Sequence, residues 1–147
     1  MDIDRNAPVI TRGEIFIAAP LETVWNVQTD IPSWPTWQPD VGTASIDGPL
    51  AVGTVFHWQT SGLSITSTIQ EIEPQRRIVW AGPAQGIEAV HLWTLTPVEN
   101  GVRVHTEESW DGEPVRSQLA TMQHALDQSL KAWLENLKRT AETSTQR

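Results

Sequence analysis

The chain has 147 residues, 39% of them hydrophobic and 19% charged, which suits one globular domain spanning 1–147 with a single core and excludes a disordered or fibrous chain. A formal net charge of −8 argues against nucleic acid and against anionic membrane surfaces, both of which attract basic proteins. The absence of cysteine excludes disulfides, thiolate metal sites and a cysteine nucleophile, and no uncharged run is long enough for a membrane span or a signal peptide, so a cytoplasmic protein is expected.

Residues 1–8 are polar and are expected to fray, as are residues 140–147. A first strand is predicted over residues 10–17, stopped by Pro20. A helix then begins at Leu21, with Leu21, Val24, Trp25 and Val27 on its apolar side, and ends before Pro32. The segment D-I-P-S-W-P-T-W-Q-P-D-V over residues 30–41 carries three prolines, which forbid a long helix and leave room for one short turn. Its Trp34 and Trp37 either pack onto the first helix or stand at the mouth of a pocket.

From Val41 the hydrophobic period becomes two, with strands predicted over 43–47, 54–60, 63–73, 77–82, 87–97 and 102–110. Turn signals at Gly48-Pro49, Ser61-Gly62, Pro74-Gln75, 82–86 and Asn100-Gly101 make successive strands hairpin neighbours. Pairing Thr60 with Leu63 sets Trp58 against Ile65 and Phe56 against Ser67. Pairing Glu73 with Arg76 sets Ile69 against Trp80, and pairing Gly82 with Ile87 sets Trp80 against Ala89 and Ile78 against His91. Pairing Pro97 with Val102 sets Trp93 against Thr106 and His91 against Glu108. In every hairpin the bulky apolar residues share one face. The other face is polar, with a few exceptions such as Leu92.

A last helix is predicted over residues 114–139. Val115, Leu119, Met122, Leu126, Leu130, Trp133 and Leu137 recur at steps of three and four, which places them on one stripe. This is the one long amphipathic element, so it must cover the apolar face of the sheet, with Leu119, Met122, Leu126 and Trp133 buried. Eight tryptophans against two phenylalanines and no tyrosine suit either a wide core or a slot for a ring-shaped ligand.

Several motifs are similar to those of the START-like, or Bet v 1-like, superfamily (SRPBCC), and within it to the polyketide cyclase/dehydrase group of small bacterial proteins. They are I-F-I-A-A-P-L-E-T-V-W over 15–25, W-P-T-W-Q-P-D-V over 34–41, a strand beginning at Gly53-Thr54, E-I-E-P-Q-R-R-I-V-W over 71–80, and G-V-R-V with E-S-W-D-G over 101–112. The resemblance covers nearly the whole chain. It implies an α+β helix-grip fold of about seven strands, in the order β-α-α-β6-α, with a curved antiparallel sheet wrapped around the long helix over an internal pocket. Members include lipid and hormone binders and aromatic-ring cyclases, and the resemblance brings no shared catalytic residue.

His91 and Glu108 are the residues best placed for chemistry, since parity puts both on the apolar face and opposite one another, or makes them diagonal neighbours if Asn100-Gly101 forms a two-residue turn. A carboxylate beside an imidazole stabilises the imidazolium, as in a general acid/base pair, while burial opposes that charge, so two protonation states stay open. The pair either caps one end of the core or contacts a ligand. Further candidate ligand contacts are Phe56, Trp58, Ser67, Ile69, Trp80, Trp93, Thr106 and Trp110 on the sheet. Leu119, Met122 and Leu126 would add the helix side. His57 and His105 point outward and His124 lies off the stripe, so no metal site is expected, and no motif suggests a cofactor.

Three functions compete. The first is binding of a small apolar or aromatic molecule, the second a cyclase, dehydratase or isomerase using His91 and Glu108, and the third a co-chaperone-like interaction domain. The third would need an apolar patch on the outer sheet face. A monomer and a homodimer are equally compatible with the sequence.

Overall fold

The computed structural model describes residues 1–145. In chain order the elements are β1 (Val9–Ile17), α1 (Leu21–Thr29), a 3₁₀ turn (Ile31–Ser33), α2 (Trp34–Trp37), β2 (Val41–Ile46), β3 (Val55–Thr60), β4 (Leu63–Glu73), β5 (Arg77–Ala84), β6 (Ile87–Val98), β7 (Gly101–Asp111), α3 (Glu113–Arg116) and α4 (Leu119–Thr145). Among the described residues the strands form one seven-stranded antiparallel sheet, ordered β1-β7-β6-β5-β4-β3-β2. This is the helix-grip arrangement that the resemblance implied.

The register follows from the turns. Thr60 pairs with Leu63 around Ser61 and Gly62, both at positive φ, as a type I′ hairpin requires. Trp93 lies opposite Thr106 and His91 opposite Glu108. Between β5 and β6 the expected register is corrected. Gln85 and Gly86, also at positive φ, make a tighter turn than the 82–86 loop, so Ala84 pairs with Ile87, Trp80 with His91 and Ile78 with Trp93. The shift of two residues keeps the same face inward. A bulge between Ile69 and Glu71 likewise sets Glu73 against Arg77 instead of Arg76 and leaves Ile69 paired with Trp80.

The predicted C-terminal helix is two helices. Its polar junction at Ser117 and Gln118 has no apolar side chain to hold the turns coaxial, while Val115 anchors α3 to the sheet. The break changes the phase of the stripe, so Leu119 points outward at 48% exposure, contrary to its expected burial. Leu126 is fully buried with Val9, Ile87, Val115 and Leu130. Leu126→Ala is therefore expected to lose about 2–5 kcal/mol in urea denaturation, and Leu119→Ala no more than about 0.5 kcal/mol. Similar losses from the two would contradict this helix phase.

The ends also depart from expectation. Residues 1–8 lie against the outer sheet face, where Ile3 packs with Val79 and Leu92. Asp4 N–H donates to Ser109 Oγ at 3.0 Å, and the Arg5 guanidinium makes two hydrogen bonds to Glu107, at 2.8 and 3.0 Å. The outward apolar side chains thus have a cover of their own. At the other end α4 continues through Thr145 with Ala141 buried, beyond the predicted stop at residue 139, and the remainder of the 140–147 expectation lies outside the described residues.

α4 lies closest to β1 and α1. Gly13 on β1 suits this approach, because a Cβ there would come within 2.8 Å of Leu134 Cδ1 and that side chain would have to shift. With the helix drawn toward that edge, space remains between it and the middle strands.

Candidate ligand-binding cavity

That space is a cavity of about 320 Å³. The sheet supplies Trp58 and Thr60 from β3, Leu63, Ile65 and Ser67 from β4, and Trp80, Gly82 and Ala84 from β5. Ile87, Ala89 and His91 come from β6, and Glu108 and Trp110 from β7. Met122, Ala125, Ser129 and Trp133 of α4 close it. Its volume comes from small residues at inward positions. Ala84 and Ala89 leave the floor low, and Gly82 admits no side chain, since a Cβ would lie 2.0 Å from the Thr66 carbonyl oxygen. Ala125 and Ser129 are solvent-exposed and line the cavity, which places its mouth along α4.

Of the residues singled out from sequence, Trp58, Ser67, Trp80, His91, Glu108, Trp110 and Met122 line this cavity. Phe56, Ile69, Trp93, Thr106 and Leu126 do not; each is fully buried behind the wall. Phe56 packs edge-on against Trp34 and Trp80, with ring centroids 5.7 and 5.4 Å away. Leu126 belongs to the cluster beneath α3, and Leu119 stands outside altogether. Sequence reasoning missed Trp133, which it placed only on the buried stripe. It also missed Gly82, Ala84, Ala89, Ala125 and Ser129. For Gly82, Ala84 and Ala89 the one available sign was small size at inward strand positions.

His91 is caged by aromatic rings, with Trp93, Trp80 and Trp133 centroids 4.9, 5.1 and 5.4 Å from its own. Its hydrogen bonds fix its tautomer. Thr106 Oγ1 spends its one proton on the Leu92 carbonyl, at 2.9 Å, so it can only accept from His91 Nε2–H, also at 2.9 Å. Nδ1 is then unprotonated. It is buried without another partner and faces Glu108 Oε1 at 3.2 Å.

The carboxyl of Glu108 accepts from the Trp110 indole N–H through Oε2, at 2.9 Å. Burial pushes its pKa up to about 8, against the smaller opposing effect of that indole bond. Burial pushes His91 down to about 3. At neutral pH a neutral acid therefore faces a neutral imidazole, with Glu108 Oε1 lying 3.2 Å from Nδ1 without a hydrogen bond between them. Of the two protonation states that the sequence leaves open, burial favours the neutral pair, because the low-polarity surroundings penalise both charges more than their attraction returns. Across the cavity Ser67 Oγ accepts from Trp58 Nε1 at 3.2 Å, and its own proton has no protein acceptor.

The other histidines lie elsewhere. His57 faces Asp47 at 2.9 Å, His105 sits between Glu14 and Glu107 on the outer face, and His124 is exposed. Among the described residues no group of three or more His, Asp or Glu side chains is arranged to hold a metal ion. No described helix is long and apolar enough to cross a membrane.

Residues 8–142 match the family described as polyketide cyclase / dehydrase and lipid transport. The chain belongs to that family. Among curated proteins it is 30% identical to the oxopyrrolidines biosynthesis cluster protein O of Penicillium oxalicum, over 69% of this chain and 62% of that protein, so it spans less than two thirds of that relative's length. Among solved structures it superposes on a hypothetical protein of Helicobacter pylori with a TM-score of 0.83, at 22% identity over 95% of this chain and 91% of the other. A START superfamily protein from Mycobacterium smegmatis gives 0.79 at 13% identity, over 92% and 99% of the two chains. The Zhui aromatase/cyclase of Streptomyces sp. R1128 gives 0.78 at 15%, over 90% and 93%. At these identities the structural likeness shows the fold.

Proposed function

We propose that the protein binds a small apolar or aromatic molecule in the cavity between the sheet and α4. The observation that carries this reading is the cavity itself. It has about 320 Å³ of space, walled by Trp58, Trp80, Trp110 and Trp133, within the range of small-molecule sites. At roughly 30 Å³ per water it has room for about ten water molecules, hence for a ligand of one or two rings. The oxopyrrolidine-cluster relative and the aromatase/cyclase neighbour fit a role in handling such compounds.

A second reading is an enzyme of cyclase, dehydratase or isomerase type, favoured by the convergence of Glu108 and His91 on one spot. In it the protonated Glu108 is the general acid, with the His91 ring beside it. Burial weighs against His91 as a base, since protonating it creates a charge among three indole rings and a neutral acid. A co-chaperone-like role is the weakest, because Val79 and Leu92 of the outer face are covered by Ile3 and Phe16 is the large apolar side chain left exposed on the described part of that face.

Titration with a neutral two-ring probe, 2-naphthalenemethanol, is expected to quench tryptophan emission saturably. Ala125→Trp, which puts bulk at the exposed mouth without touching the core, should weaken this binding at least tenfold. No saturable quenching of the native protein would remove the binding reading.

A further inference from the structure

The charge inventory of the cavity narrows its ligand further, on the reading that it is a binding site. Its lining contains no lysine and no arginine. The side chains there that titrate below pH 9 are Glu108 and His91. Glu108 is the one exposed to the space, at 13%, whereas His91 is sealed at 2%. A carboxylate or sulfonate ligand would meet no counter-charge, in a chain of net charge −8. A cation would meet three favourable features. One is the Glu108 carboxyl, one is indole rings from several sides, and one is the field of the whole molecule.

We propose that the cavity is selective for amine-bearing aromatic molecules, whose ammonium group pairs with the carboxylate of Glu108 among the tryptophans. The polar groups support such a pair. Trp110 Nε1–H already donates to Oε2 and would hold the carboxylate's orientation. The ammonium takes the remaining lone pairs of the Glu108 carboxylate, while the neutral His91 ring lies sealed behind it with Nδ1 unprotonated. Thr106 keeps Nε2 protonated throughout, so the imidazole can act there only as an acceptor. Ser67, on the opposite side, has a free proton for an acceptor at the other end of the ligand.

Proton balance gives the proposal its signature. The free site holds Glu108 protonated at neutral pH, and the bound pair needs it ionised. Binding of an ammonium therefore releases close to one proton to solvent. Affinity rises as pH approaches the pKa of Glu108 and falls again above that of the amine. Other groups near Glu108 do not confuse this. His91 on β6 is in contact but stays neutral, β1 presents Thr11 opposite it, and Asp127 on α4 is engaged by Thr11 and Gln123. His124 and Lys131 of α4 are exposed.

The test is calorimetric titration of the native protein at pH 7 with three probes of one shape: 2-naphthylmethylamine, 2-naphthalenemethanol and 2-naphthoate. Buffers of different ionisation enthalpy count the protons. The amine is expected to bind at least tenfold tighter than the alcohol and to release close to one proton, the alcohol to release none, and the naphthoate to bind weakest. In Glu108→Gln the amine and alcohol affinities should converge and the proton release vanish. If the alcohol binds as tightly as the amine, or the amine binds without proton release, the charge selectivity is wrong while the cavity remains a binding site. If none of the three binds, both readings fall. The proton count on the native protein decides the matter whatever the variant's stability.

Discussion

Trp34→Ala is expected to lose about 3–5 kcal/mol of stability, measured by urea denaturation, making it one of the most damaging single substitutions in the chain. Trp34 lies in α2, four residues long, within the proline-rich segment, yet it is fully buried. Its ring is edge-on to Phe56, Trp58 and Trp133, with centroids 5.7, 5.4 and 5.1 Å away, and tilted over Trp80 at 5.6 Å. Its indole N–H donates to the Gln28 carbonyl at 2.9 Å, tying the segment to the end of α1. Truncation removes a large apolar surface, empties a space bounded by four rings, and leaves the Gln28 carbonyl unpaired in the core. Trp37, one turn on and only half-buried, provides the control, and Trp37→Ala should cost markedly less. Because Trp58, Trp80 and Trp133 are also cavity walls, the Trp34 variant should bind 2-naphthalenemethanol more weakly as well. Equal losses from the two tryptophans would mean that the segment is a surface loop and not a plug for one end of the sheet.

The contrast between these tryptophans marks where the sequence was legible. Strand parity depends on a period of two and survives an error of two residues, so the inward set came out correctly although the β5–β6 pairing was misplaced. A helix stripe has no such tolerance. One short break at Ser117 and Gln118 was enough to turn Leu119 from the core to solvent. Trp34 was ambiguous because three prolines suppress any periodic pattern, and only the three-dimensional course of the segment decides what its tryptophans meet. The cavity was harder still. Parity says which side chains point inward but not how far the covering helix stands off. Hence Phe56, Ile69, Trp93 and Thr106 point inward as parity requires, and Leu126 as the helical stripe requires, but all five lie behind the wall. Gly82, Ala84 and Ala89 carried no chemical signal at all. The facing of His91 and Glu108 was legible from one hairpin. Their protonation was not, because it depends on burial by residues distant in sequence.

That protonation has a measurable consequence for stability. Glu108, with its folded pKa raised from 4.5 to about 8, contributes stability that is fully present below about pH 4.5 and is lost as pH rises through 8. His91, with its folded pKa lowered from 6.5 to about 3, contributes stability that is present above about pH 6.5 and is lost as pH falls through 3. Between pH 4.5 and 6.5 the two slopes oppose each other, and from 6.5 to 8 the loss from Glu108 stands alone. Glu108→Gln isolates it. The amide keeps the shape of the protonated acid, with its N–H₂ able to donate to His91 Nδ1 and its oxygen able to accept from Trp110, but it cannot ionise. The stability of the variant relative to wild type should therefore improve with pH across 4.5–8, by at most about 1.4 kcal/mol per pH unit. Urea denaturation of both proteins at intervals from pH 5 to 8.5 measures this difference directly and cancels the surface groups they share. A difference that stays constant over that range would mean that Glu108 is ionised in the folded protein at neutral pH. The neutral pair with His91, and the proton released on amine binding, would both be refuted by that one result.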